Sequence, residues 1–257
     1  MNVRMLALAV LLSASARAQN GESAKKWPPK YVRELRYTCY PDKARDMVLY
    51  FTRLAEADAK LNSGRMRWVD ALPYGQLVIS NLPADHLDEY DARVDSGVIL
   101  AKAFGEEEYH KLGELYSNAQ QRTESVIRKY RDDLSLNRDK HLRANMKIAR
   151  HNYVTVKPGK GPVFEEAARE LIAALKKIAP NTILSCAQTI AGGGPQYLFV
   201  APFASYAELQ NARIPATAVE EAFGKAEAAK WAAKVAESVE TTEYVLMQKA
   251  AKDSFVP

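Results

Sequence analysis

Two cysteines in 257 residues are too few for a disulfide-built scaffold or a four-thiolate zinc site. No apolar run reaches the roughly 20 residues that a membrane-spanning helix needs, so a membrane-embedded chain is not expected. Histidine is scarce. His86, His110, His141 and His151 stand at no spacing of the His-x-His or His-Glu-x-x-His kind, and no metal is expected. No Gly-x-Ser-x-Gly elbow and no Ser-x-x-Lys signature is present. The run Gly192-Gly193-Gly194 joins two strand-like segments and opens no helix, which makes it a hairpin turn and not a phosphate loop. The excess of basic residues is only +5 and is scattered among acids, with no cationic stripe interleaved with aromatics, so nucleic-acid binding is not expected. What remains is a chain 47% hydrophobic and 26% charged, the composition of a folded soluble protein long enough for one large domain or two modest ones.

The first residues read as an export leader. Arg4 gives a positive start, Met5 to Leu12 a short apolar core, and Ala16-Arg17-Ala18 the small residues at the two positions that a signal peptidase inspects. Cleavage is predicted after Ala18, with a periplasmic or extracellular destination. It would remove Arg4 and Arg17 and lower the positive excess by two.

The chain is written twice. At an offset of 120, Gln76–Val94 falls on Gln196–Ile214, and Asp91-Ala92-Arg93-Val94 meets Asn211-Ala212-Arg213-Ile214. At an offset of 119, Ala103-Phe104-Gly105 meets Ala222-Phe223-Gly224, and the 28 positions from Ala103 to Tyr130 hold eight identities where composition alone gives roughly two. At an offset of 117, Tyr37–Lys43 meets Val154–Lys160.

Each copy has the same order of elements. A strand (Tyr31–Tyr40; Asn152–Lys157) ends at a proline, and a helix follows with apolar residues at helical spacing: Met47, Phe51, Leu54 and Leu61, then Phe164, Ala168, Leu171, Leu175 and Ile178. Two strands form a hairpin (Met66–Ala71 with Leu77–Ser80; Thr182–Thr189 with Gln196–Ala201). Helical structure comes next, with Tyr109, Leu112 and Tyr116 matched in register by Ala228, Trp231 and Val235. A last strand closes each unit (Ser125–Arg131; Tyr244–Gln248). This is β-α-β-β-α-β, the ferredoxin-like unit, an antiparallel sheet with its helices on one face. The bare faces are too apolar to stay wet, so the two sheets are expected to pack against each other. The expected organisation is a leader (1–18), a linker (19–30), a first ferredoxin-like unit (31–133), a connector (134–146), a second unit (147–250) and a tail (251–257).

This element order, with the two Pro-(Asp/Gly)-Lys junctions after the first strands and the repeated Gln-initiated strands (QLVIS, QYLFV), resembles the dimeric α+β barrel superfamily, whose members include antibiotic-biosynthesis monooxygenase-like proteins. The resemblance covers nearly all of the chain after the leader. It implies an α+β fold of two tandem units with antiparallel sheets face to face, a pseudo-dimeric barrel within one monomer. It carries no catalytic residue across.

The expected function is therefore binding of a small apolar or aromatic ligand in or near the barrel, without a cofactor. The alternative is a cofactor-independent monooxygenase-like or haem-handling enzyme, because the helix that carries His110 borders the ligand cavity in some relatives and supplies a haem ligand in a few. Candidate ligand-binding residues are Tyr37, Trp68, His110, Tyr153 and Tyr197. The tyrosines and Trp68, together with Tyr40, lie on strands that could face the space between the sheets, where core filling is the plainer role. Cys39 and Cys186 are not in equivalent strands, and whether they bond is left open.

Overall fold

The computed structural model describes residues 28–63, 65–72, 75–143 and 146–249. The leader, most of the linker and the tail lie outside the described residues.

The first half runs β1 (Tyr31–Cys39), α1 (Ala44–Lys60), β2 (Trp68–Ala71), β3 (Leu77–Ala84), α2 (Ser96–Phe104), α3 (Glu106–Ala119) and β4 (Gln120–Tyr130). Two short 3-10 turns follow, Asp132–Leu134 and Arg138–Arg143. The second half runs β5 (Ile148–Val156), α4 (Gly161–Ile178), β6 (Ser185–Ala191), β7 (Tyr197–Phe203), α5 (Tyr206–Gln210), α6 (Pro215–Phe223), α7 (Lys225–Ser238) and β8 (Val239–Lys249). The offsets of the sequence repeat are those of the structure: α1 and α4 begin 117 residues apart, α3 and α7 119, β3 and β7 120. Strands β4 and β8 begin five residues before the segments expected from periodicity. Their first residues, Gln-Gln-Arg-Thr-Glu and Val-Glu-Thr-Thr-Glu, are mostly exposed, so no apolar alternation marks them as strand.

All pairings are antiparallel, and the sheet closes into one eight-stranded barrel in the order β1-β3-β2-β8-β5-β7-β6-β4. The halves meet at two joints. Between β2 and β8 only Asp70↔Lys249 and Ala71↔Gln248 pair, whereas between β4 and β6 four pairs run from Ile127↔Ala191 to Tyr130↔Ala187. The second joint depends on Gly192, whose φ is +84°. A Cβ there would lie 2.4 Å from the Ser125 carbonyl oxygen, so the β6–β7 hairpin presses on β4 only because the position has no side chain.

Alternation sends one set of side chains into the barrel and the other under the helices. The interior is not simply hydrocarbon. Val32, Trp68, Ala149, Leu198 and Val200 share it with Glu34, Asp70, Asn81, Arg128, His151 and Tyr153. The charged pair is tolerated because it is answered within the first half and tied to the second half through a tyrosine hydroxyl. Arg128 Nε donates to Glu34 Oε2 at 3.1 Å, the Tyr153 hydroxyl donates to Glu34 Oε1 at 3.3 Å, and His151 Nδ1 lies 3.3 Å from the Tyr153 hydroxyl. At the far end Asn81 Nδ2 donates to Asp70 Oδ2 at 3.1 Å.

Outside the barrel each half has its own core. Cys39 lies beneath the first set of helices and Cys186 in the second core, both buried and both free, so the two thiols form no bridge.

Candidate functional site

In the first half the space between helices and sheet is filled. Tyr37 from β1, Tyr50 and Phe51 from α1 and Tyr116 from α3 stack on one another, with ring centroids 5.4 Å apart for Tyr37–Phe51 and 4.7 Å for Tyr50–Tyr116. Burial pushes the Tyr50 hydroxyl up to about 12 and the Tyr37 hydroxyl well above the ordinary tyrosine range.

The second half has the same frame with smaller contents. By the repeat offsets, Tyr37, Tyr50, Phe51 and Tyr116 become Val154, Ala167, Ala168 and Val235. The backbone frame is kept while these four large rings become two valines and two alanines; in the other direction Met47 becomes Phe164, Val78, by its strand pairing, becomes Tyr197 and Leu112 becomes Trp231, so ring bulk is moved as well as lost. A cavity of about 710 Å3 results, bounded by the outer face of β5, β7 and β8 and by α4, α6 and α7. That is within the size range of small-molecule sites.

The lining is mainly apolar: Val154, Phe164, Ala167, Ala168, Leu171, Leu175, Phe199, Trp231 and Val235 among others. Trp231 is held in place by its indole N–H, which donates to the Ala167 carbonyl at 2.8 Å. Several polar wall groups are already engaged. Glu208 Oε2 accepts from the Ala204 backbone N–H at 2.6 Å, and Arg213 Nε donates to Glu221 at 2.8 Å. Two polar groups on β5 are not. Asn152 Oδ1 is buried without a hydrogen-bond partner, and Arg150 has no carboxylate within salt-bridge distance among the described residues, its guanidinium carbon lying 5.7 Å from the centre of the Phe203 ring. The position equivalent to Asn152 in the first half is Leu35, which packs into the filled core.

The five residues singled out from sequence do not form one site. Trp68 and Tyr153 point into the barrel, Tyr153 bonded to Glu34. Tyr37 belongs to the filled core of the first half. Tyr197 lies under the second set of helices, stacked on Phe164 at 4.7 Å, and its hydroxyl donates to Glu165 Oε1 at 2.8 Å. His110 is on α3, its side chain 73% exposed, with Nε2 4.0 Å from Glu106. Tyr40 is half-exposed. The cavity residues themselves are absent from that set. Their signal is a loss of bulk in the second copy, visible only when the copies are compared position by position.

A haem does not fit the donors present. The cavity lining contains no histidine, cysteine or methionine, its one tyrosine, Tyr244, is 61% exposed, and His110 is in the other half with its imidazole in solvent. A second, much smaller cavity of about 40 Å3 lies inside the barrel between Asp70, Asn81, His151 and Trp68, large enough for water and too small for an organic ligand. Among the described residues no group of three or more His, Cys, Asp or Glu could hold a metal ion, and no helix is long and apolar enough to cross a membrane.

No protein-family pattern matches the chain, and no curated relative matches it in sequence. Solved structures do match in shape. An anthrone oxidase-like protein is 10% identical with a TM-score of 0.54, the match covering 88% of this chain and 93% of that one. A candidate monooxygenase from Lactobacillus acidophilus is 8% identical with a TM-score of 0.53, covering 89% and 99%. A candidate monooxygenase from Fusobacterium nucleatum is 8% identical with a TM-score of 0.50, covering 88% and 94%. At such low identity the likeness is one of fold. Together with the closed sheet and the internal repeat, it shows that the chain has the dimeric α+β barrel fold, with two ferredoxin-like units in one polypeptide.

Proposed function

We propose that the protein is exported and that its second half binds a small, largely apolar or aromatic molecule between the helices and the outer face of the barrel. The observation that carries this reading is a cavity of about 710 Å3 at the place where the repeated frame of the first half holds four packed rings. Emptying a core is costly to stability, roughly 3–5 kcal/mol for each Phe-to-Ala change in a packed site, so an occupant is the natural compensation. The site lies outside the barrel wall, in the second half.

The test is titration with N-phenyl-1-naphthylamine, a neutral apolar fluorophore. The wild-type chain should bind one equivalent saturably. The double variant Ala167→Tyr, Ala168→Phe, which restores two of the four rings of the first half, should lose that binding while melting no lower than wild type. A wild type that takes up no probe, or a refilled variant that binds as well, defeats the proposal.

A second reading has the same pocket acting on its ligand as a cofactor-independent oxygenase. It is supported by the fold shared with proteins bearing monooxygenase and oxidase names, and by a buried, unpartnered amide oxygen on Asn152 at the cavity wall. Oxygen uptake with anthrone or quinol substrates should then appear and should fall in Asn152→Leu. No uptake with either substrate leaves the binding role alone.

A further inference from the structure

The outer face of β5 carries three successive wall residues, Arg150, Asn152 and Val154, spaced about 7 Å apart along the strand. The first is a cation, the second a hydrogen-bonding amide and the third apolar, leading to Phe164 and Leu171. We infer that the ligand of this pocket is an apolar carboxylate, its anionic group seated on Arg150 and its body in the hydrocarbon part of the cavity. The inference rests on the pocket being the ligand site.

Three observations bear on it. Among the described residues Arg150 is the one charged wall residue with neither an ion pair nor a hydrogen bond: Arg213 is answered by Glu221 at 2.8 Å, and Glu208, which also has no opposite charge beside it, accepts from a backbone N–H at 2.6 Å. A guanidinium at the wall of an apolar site offers two parallel N–H donors, a shape that fits a carboxylate. The repeat supplies an internal control. The counterpart of Arg150 in the filled half is Arg33, whose Nε donates to Ser125 Oγ at 3.0 Å. The counterpart of Ser125 is Tyr244, which lines the cavity and is 61% exposed. The arginine is thus kept in both halves, but its local partner is gone in the half that has the cavity. Asn152 Oδ1, buried and unpartnered, then takes a hydroxyl or N–H on the ligand about one residue pair further along.

The experiment compares 2-naphthoate with its neutral methyl ester by calorimetry, using the full chain after the leader and the variants Arg150→Met and Arg150→Lys. Wild type should prefer the acid by about tenfold or more, the scale of a charge-assisted hydrogen-bonded pair, and the preference should shrink as salt is raised. Arg150→Met should abolish the preference and leave ester binding within about twofold. Arg150→Lys should keep part of it. Unchanged ester binding also shows that the variants are folded. A wild type that binds ester and acid equally, or an Arg150→Met that weakens both alike, overturns the carboxylate assignment and leaves the pocket standing. Binding of neither probe by wild type overturns the pocket reading and the assignment together.

Discussion

Replacing Asp70 by asparagine should change how stability depends on pH, and the sign follows from the barrel interior. Asp70 is 2% exposed; its Oδ2 accepts from Asn81 Nδ2 and lies 4.0 Å from His151 Nε2, while its Oδ1 has no partner. Burial first, and then the charge of Glu34, raise its carboxyl to about 7 against the lowering influence of Lys249 and Asn81. Burial first, and then the positive charges of Arg128 and Arg36, push His151 down to about 3. Tyr130, Tyr153 and Arg138 are the other ionisable groups in or around this interior. From about pH 4 to 7 folded Asp70 keeps a proton that the unfolded chain releases, so its contribution to stability falls as pH rises, by at most about 1.4 kcal/mol per pH unit. From about pH 3 to 6.5 folded His151 refuses a proton that the unfolded chain takes up, so its contribution rises with pH at the same limiting slope. Between about pH 4 and 6.5 the two cancel in the wild type. Asp70→Asn should expose the histidine slope and gain stability relative to wild type by up to about 3 kcal/mol across that window. His151→Gln should show the opposite trend. Urea unfolding at four pH values measures both. Variants that run parallel to wild type would show that these two groups titrate alike folded and unfolded, and would refute their burial inside the barrel.

Four further outcomes follow from the same structure. Arg128→Met leaves buried Glu34 with only Arg36, 3.6 Å away, as its cation and should cost about 3 kcal/mol in denaturant unfolding, the lower end of the range for breaking a buried pair. Gly192→Ala should destabilise clearly, because of its positive φ and the 2.4 Å approach to Ser125, whereas Gly193→Ala, with nothing within 4 Å, should melt near wild type. Phe51→Ala, which removes a fully packed ring from the first half, should cost about 3–5 kcal/mol and open a second site for a small apolar probe. Mass spectrometry of the exported protein should find an N-terminus at Gln19, and an intact Met1 would remove the export proposal.

Much of the architecture was legible because the chain states it twice. Once Pro41 and Pro158 are placed in register, the helices after them and the hairpins that follow fall at offsets between 117 and 120. From the residues alone, the closing of the two sheets into one barrel was legible as a need for cover; the barrel itself came from the resemblance. The joint at Asp70 and Ala71 is two residue pairs long, and backbone pairing of that length leaves no sequence pattern. Which strand face looks inward was harder still. Tyr37 and Tyr197 lie outside the barrel wall while Trp68 and Tyr153 lie inside, because a one-residue change of phase moves a side chain to the other face and an aromatic suits either environment. The interior charges were hidden for a related reason. Glu34 and Arg128 are 94 residues apart, and each reads alone as an ordinary surface residue of a strand. The cavity was the least legible feature, since Ala167 and Ala168 look like good helix formers until they are set beside Tyr50 and Phe51.

The claim on which the functional account stands is that the second copy of a repeated frame has been emptied to hold a ligand. A crystal of the protein soaked with an iodinated naphthalene reports on it directly through the anomalous signal of iodine. The account predicts a peak between α4, α7 and the outer face of β5 and β7, beside Ala168 and Trp231, and none beside Phe51 and Tyr116. Iodine at both places, or at neither, would contradict it.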